Sequence, residues 1–259
     1  MSRRKATYTS LIIDENFSDI TMNKVRRLIG FALAEMLGTA FFVGLGCSST
    51  TNLLQGAHNT HLNTAIAFAL GVATSIIVFG PISGALMNPA LNIVLIILGH
   101  MSVIKGVFYT LFQLLGAYLG VLAAKTITPE VGANFCMTLP NPEVSTGSAF
   151  FVEFVTSAML AFGLCNAVDK RQSANHSIIF VKFLVIILAI AMASAKYSGC
   201  SMNPARSFGP ALLAGNWEYH WIYWVATCLG AAVAAVLYRM VFAQEIFEDK
   251  SSREEVHSI

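Results

Sequence analysis

Two nearly identical octapeptides carry the chemistry this chain offers. Ser83-Gly84-Ala85-Leu86-Met87-Asn88-Pro89-Ala90 and Ser198-Gly199-Cys200-Ser201-Met202-Asn203-Pro204-Ala205 agree at six of eight positions. Asn suits the position just before a helix, where its side-chain oxygen accepts a first-turn N–H; Pro suits the first helical position, whose donor is an orphan. With that oxygen engaged, the amide NH2 of Asn88 and of Asn203 is left to donate. The natural acceptor is an uncharged oxygen, such as that of water or an alcohol. One such cap is an ordinary way to start a buried helix, whereas two in register require a common cause. Two acids keep step with them: Glu35 stands 53 residues before Asn88 and Glu153 stands 50 before Asn203, with Thr39-Ala40 echoed by Ser157-Ala158.

The elements that must hold these residues are membrane helices. Of the 259 residues, 56% are apolar and only 12% charged, against about 25% charged in an ordinary soluble domain. Six windows are long and apolar enough to cross a bilayer: Leu28 to Cys47, Leu62 to Ile82, Gly106 to Ala124, Ala149 to Ala167, Ile178 to Ala195 and Trp221 to Tyr238. The first follows a polar stretch without a cleavage site and is read as a retained helix. A net charge of +2 leaves no basic face for nucleic acid. Five scattered cysteines without CxxC spacing indicate neither a disulfide scaffold nor a zinc site.

Lys and Arg accumulate on the cytoplasmic side. With the N-terminus inside, 13 basic residues face the cytoplasm and only Lys125, Lys196 and Arg206 face out. Both termini are then cytoplasmic, and the sequons at Asn16 and Asn175 face inward, where no glycan is added. Two shorter apolar stretches, 89–98 and 204–213, suit re-entrant half-helices. The chain is therefore a tandem duplication. Each copy contains an odd number of crossings, three, so the second copy is inverted relative to the first. The half-helices, roughly 15 Å each, enter from opposite faces and meet near the centre of a ~30 Å slab. Irregular backbone at that depth is tolerated only where protein buries it or where it lines a wet cavity. A pore or a central site is implied. Each half-helix also aims about half a positive charge at the meeting point, which repels cations and hydronium but not neutral solutes.

The paired Asn-Pro-Ala triplets, the second within Ser201-Met202-Asn203-Pro204-Ala205-Arg206-Ser207-Phe208-Gly209-Pro210-Ala211, resemble the aquaporin (major intrinsic protein) family. The likeness runs over about residues 25 to 245, with Glu35, Gln113, Glu153 and His220-Trp221-Ile222-Tyr223-Trp224 where members carry similar residues. It implies an all-α membrane protein of six transmembrane helices plus two re-entrant half-helices in an inverted repeat. The expected organisation is an N-terminal tail 1–27, a first repeat 28–125, an extracellular connection 126–147, a second repeat 148–242 and a C-terminal tail 243–259. The resemblance also implies a passive channel rather than an enzyme, with no cofactor or metal. It implies a plasma-membrane homotetramer in the lipid bilayer, with one pore per subunit.

In aquaporin-type pores the barrier is set by pore diameter, lining donors, an Arg and the half-helix dipoles. Asn88 and Asn203 correspond to the pore centre, and resemblance places the outer constriction at Phe68, Ala191, Cys200 and Arg206. The guanidinium of Arg206 supplies fixed donors and a permanent charge. An ordinary salt bridge is the weaker reading of it, because no acid lies between Lys196 and Gly215. Ala191 stands where water-selective members carry His, so the constriction should be wider and apolar on two sides, which suits glycerol and urea along with water. Glycerol carbons would slide along Phe68 and Ala191 while hydroxyls accept from Arg206 and donate to carbonyls of residues 197–202. A neighbouring side chain refilling the space at Ala191, leaving a water-selective aquaporin, is the other reading. Ser207 replaces the Asp of bacterial-type glycerol channels, so the chain resembles instead the insect glycerol-permeable entomoglyceroporins. Leu86, in place of a usual His, makes the inner approach less polar.

For Glu35 and Glu153 two readings stand: proton relay, or acceptors for backbone donors of the adjacent loop, as in the family. Lys182 can snorkel to the inner interface. Arg3-Arg4-Lys5-Ala6-Thr7 and Lys170-Arg171-Gln172-Ser173 look like basic kinase sites, and solvated juxtamembrane charge explains them equally. Against the channel stand a coupled carrier built on the same repeat and a junctional membrane protein.

Overall fold

A computed structural model describes residues 22–51, 60–128 and 132–243. The Arg3–Thr7 pattern, the Asn16 sequon and the charged C-terminal stretch from Glu245 lie outside the described residues. Among the described residues eight α-helices follow in chain order: α1 Met22–Ser48, α2 His61–Ser83, α3 Pro89–Ile97, α4 Val103–Ile127, α5 Thr146–Val168, α6 Ile179–Ser198, α7 Pro204–Ala214 and α8 Ile222–Leu237. No strand occurs among the described residues. All but α3 and α7 are long and apolar enough to cross a membrane, α8 with the π-turn Tyr238–Phe242 that continues it.

The helices begin and end for local reasons. Ser102 and Ser145 cap α4 and α5 by accepting the N–H of Lys105 and Ser148. Asn88 and Asn203 cap α3 and α7, with Pro89 and Pro204 at the first helical positions. Helix α1 starts at Met22, six residues before the expected Leu28, because hydropathy marks the bilayer and not the helix end. A 3-10 helix, Lys170–Ile178, fills the connection before α6, which sequence did not foretell.

Packing repeats the duplication. Helix α1 lies against α4, and α5 against α8, its counterpart pair in the second copy. Both seams depend on small residues, since apolar lipid offers helices no hydrophobic reason to associate and close backbone approach must do the work. A Cβ on Gly116 or Gly120 of α4 would run into the carbonyls of Met36 or Ala40, and one on Gly230 of α8 into that of Phe154. Each half-helix packs on the other copy's last helix, α3 on α8 and α7 on α4. The outward face of α1 presents Leu33, Leu37, Phe41 and Leu45 at helical spacing, an exposed apolar stripe.

Candidate functional site

Helices α2 and α6 stop alike. Gly84 (φ 93°) and Gly199 (φ 79°) adopt the left-handed conformation that closes a helix. Beyond them Ala85 and Cys200 (φ 47° and 49°) and Met87 and Met202 (φ 52° and 53°) are left-handed too, a conformation unfavourable for a residue with a Cβ. Such turns persist only where the surroundings over-determine them.

The buried acids do so. Glu35 Oε1 accepts from Ser83 Oγ (2.7 Å) and the Leu86 N–H (3.0 Å), and its Oε2 from the Met87 N–H (2.7 Å) and Gln113 Nε2 (2.8 Å). Glu153 Oε1 accepts from Ser198 Oγ (2.6 Å) and the Ser201 N–H (2.8 Å), and its Oε2 from the Met202 N–H (2.9 Å). Tyr109 and Tyr223 close the motif by donating to the Ser83 and Ser198 carbonyls at 3.1 and 2.8 Å.

Asn88 Oδ1 accepts from the Ala90 N–H (2.9 Å), and Asn203 Oδ1 from those of Ala205 (2.9 Å) and Arg206 (3.3 Å). The expectation that both amide groups remain wholly free requires correction. Asn88 Nδ2 donates to the Met202 carbonyl and Asn203 Nδ2 to that of Met87, each at 2.8 Å. The two helix tips abut so closely that each Asn gives one N–H to the opposite loop, which leaves one per Asn for a solute.

Phe68, Ala191, Cys200 and Arg206 line the same cavity as Asn88, Asn203 and Leu86. Arg206 lies 4.5 Å over the Phe68 ring and donates Nη1 to the Cys136 carbonyl at 2.8 Å. Of the carbonyls at 197–202, those of Tyr197, Ser198 and Met202 accept from Asn141, Tyr223 and Asn88, so the run is less open to solute than expected. Arg171, in the second basic pattern, is not merely solvated: it pairs with Asp169 at 2.7 Å. Lys182 donates to Asn166 and Gln172.

A further correction concerns the cysteines. Cys47, in the last turn of α1, is joined to Cys136 by a disulfide, while Cys165, Cys200 and Cys228 are free. The two are 89 residues apart, and only the fold brings them together. No cluster of three or more metal-binding side chains occurs among the described residues. Sequence reasoning also missed the carbonyl of Cys136 and the role of Gly46, whose missing Cβ makes room for the Phe68 ring. Phe183 and Ile187 line the cavity with Ala191 and Ala195, and their four-residue spacing along α6 could have found them. His61 and Thr64, in the first turn of α2, line it as well.

Six crossings, two inverted half-helices and a cavity through their meeting point define a membrane channel, and comparison with known proteins agrees. The profile of the family described as Major intrinsic protein matches residues 22–238. Aquaporin-4 of Mus musculus is 36% identical over 222 residues, covering 82% of this chain and 67% of that one. Aquaporin-2 of Ovis aries is 34% identical over 212 residues, covering 81% and 77%. The solved structure of the aquaglyceroporin from Plasmodium falciparum superposes with a TM-score of 0.77 at 25% identity, covering 85% of this chain and 98% of that one. The chain belongs to the major intrinsic protein family and is a multi-pass membrane channel of the aquaporin type.

Proposed function

We propose that the channel conducts glycerol and urea along with water, and excludes ions and protons. The observation that carries this reading is the cavity wall that Ala191, Cys200 and Phe68 share with a single guanidinium, that of Arg206, which lies over the Phe68 ring. A methyl at position 191 leaves an apolar flank for solute carbons, and Arg206 supplies donors for hydroxyls. The likeness to an aquaglyceroporin supports the same reading, as does the resemblance to insect glycerol-permeable channels. Asn88 and Asn203 form the pore centre, where opposed half-helix dipoles and donor-only amides reject cations. Glu35 and Glu153 act as loop supports: four and three donors engage them, which disfavours a relay and the carrier built on it.

The protein sits in the plasma membrane with both termini cytoplasmic, as a homotetramer of one pore per subunit. The repeats at 28–125 and 148–242 are its two halves and 126–147 is their extracellular connection. Stopped-flow light scattering on reconstituted vesicles, comparing water, glycerol, urea and mannitol, tests the reading. Glycerol and urea should pass, mannitol should not, and flux should stay linear with concentration and ignore a pH gradient. Water flux without glycerol flux would mean a water-selective pore, and saturation with gradient dependence would mean a carrier.

A further inference from the structure

Among the described residues lining the cavity, Arg206 is the only Arg, Lys, Asp or Glu. A guanidinium in a narrow lumen discriminates only if its donors stay in one place. Helix α7 fixes its backbone, but the side chain is long, and two neighbours hold its head: the face of Phe68 and the carbonyl of Cys136. A ring face attracts a cation without specifying the direction of its N–H groups, whereas a carbonyl does specify it. The aim of Arg206 therefore depends on Cys136.

Cys136 lies on no helix. It stands in the segment between α4 and α5, in the left-handed conformation (φ 60°). Downstream, Thr138 donates to Ser207 Oγ (2.6 Å) and the Asn141 N–H to the Tyr197 carbonyl (3.0 Å), ties that begin two residues away. At residue 136 itself the anchor is covalent: the disulfide to Cys47, the next residue after the Gly46 that seats Phe68. The end of α1 thus holds both partners of Arg206.

We infer that the Cys47–Cys136 disulfide is a specificity-determining element, which positions the Cys136 carbonyl and through it the Arg206 guanidinium. This rests on the reading of Phe68, Ala191, Cys200 and Arg206 as the solute-selecting constriction. When the disulfide is opened, residue 136 is held only through its neighbours Asn134 and Thr138, its carbonyl is free to shift, and Phe68 is the one fixed partner left to Arg206. Glycerol, which must find donors at a fixed spacing while filling the constriction, is slowed more than water, which needs only one partner at a time.

The test uses the full chain in proteoliposomes. A non-reducing digest read by mass spectrometry should contain the peptide pair joined through Cys47 and Cys136, and its absence overturns the inference. Water and glycerol rates are then measured before and after external treatment with a charged, membrane-impermeant phosphine. The phosphine takes the sulfur–sulfur bond to two thiols and becomes its oxide, with water supplying the oxygen and both protons, and it leaves Cys165, Cys200 and Cys228 as free thiols.

The glycerol-to-water ratio should fall about threefold or more, a modest share of what one charge-assisted hydrogen bond is worth. The Cys47→Ala/Cys136→Ala variant should start at the lower ratio and ignore the phosphine. A ratio that is unchanged or raised after confirmed reduction overturns the inference, and a purely structural role would lower both fluxes in proportion. Arg206→Ala separates the two readings. If it shifts the ratio and reduction does not, only the role of the disulfide fails; if it leaves the ratio as in the unmodified channel, the constriction reading fails and carries this inference with it. A cryo-EM map of the double-cysteine variant gives a readout independent of any solute: a guanidinium still seated on the carbonyl of position 136 overturns the positioning role.

Discussion

Ala191 bears most of the weight of the proposed solute selection, because a methyl and an imidazole at one position differ in both bulk and hydrogen bonding. Ala191→His restores that bulk beside Phe68 and Arg206, which line the same cavity. Glycerol flux should fall about tenfold or more, within the range a few atoms in a tight site can discriminate, with water flux largely kept. Stopped-flow rates on matched channel numbers measure it, and glycerol flux equal to that of the unmodified channel rejects the size argument. At this scale the sequence was legible where a residue type announces its local structure, as at the helix-capping Asn88 and Asn203. It was silent where the chemistry is that of the backbone. Nothing about a cysteine shows that its carbonyl will meet a guanidinium 70 residues away.

The re-entrant loops show what an element needs beyond propensity. Three left-handed residues in each, Gly84, Ala85 and Met87 or Gly199, Cys200 and Met202, persist because a carboxylate collects the N–H groups that the turns expose. In Glu35→Gln, one oxygen that accepts two donors is replaced by an NH2 that accepts none. Gln113 can turn its amide to present an oxygen, but the Met87 N–H cannot turn. Each stranded buried donor costs about 1–3 kcal/mol. The thermal midpoint of the purified variant in detergent should drop clearly below that of the unmodified protein, and an unchanged midpoint would show that the loop does not depend on this carboxylate. The half-helices were readable because a capping Asn, a Pro and a short apolar run all occur together. The early start of α1 and the 3-10 helix were not, since polar residues outside the membrane give hydropathy nothing to detect.

Across the whole molecule, the end of the bundle where α5 and α8 finish is drawn together by one buried acid. Asp169, which ends α5, accepts from Tyr238 Oη at 2.6 Å and pairs with Arg171, which in turn donates to the Phe242 carbonyl at 2.9 Å. The connection before α6 is thereby tied to the end of α8. Burial works against the Asp169 charge, but the hydrogen bonds from Arg171 and Tyr238 outweigh it and hold the carboxyl down to about 2. A carboxyl lowered on folding stabilises the folded state above its unfolded value, near pH 4, and loses that contribution as pH falls toward the folded value. Asp169→Asn should therefore lower the thermal midpoint by a constant amount above about pH 4, with the gap closing between about pH 4 and pH 2. A gap independent of pH over that window would show that the charge is not what holds the two ends.

Sequence by itself determined the six crossings, the duplication, its inversion and the two capped half-helices. These follow from local hydropathy, from chain-adjacent caps and from the parity of crossings, none of which requires knowing what lies next to what. Tertiary structure alone decided which groups meet across the copies: the Asn–carbonyl exchange at the centre, the disulfide from α1 to the segment between α4 and α5, and the ring and carbonyl that hold Arg206. The physical reason is distance along the chain. A contact between residues tens of positions apart leaves no periodicity or composition behind, and becomes visible only once packed helices have carried both partners to one place.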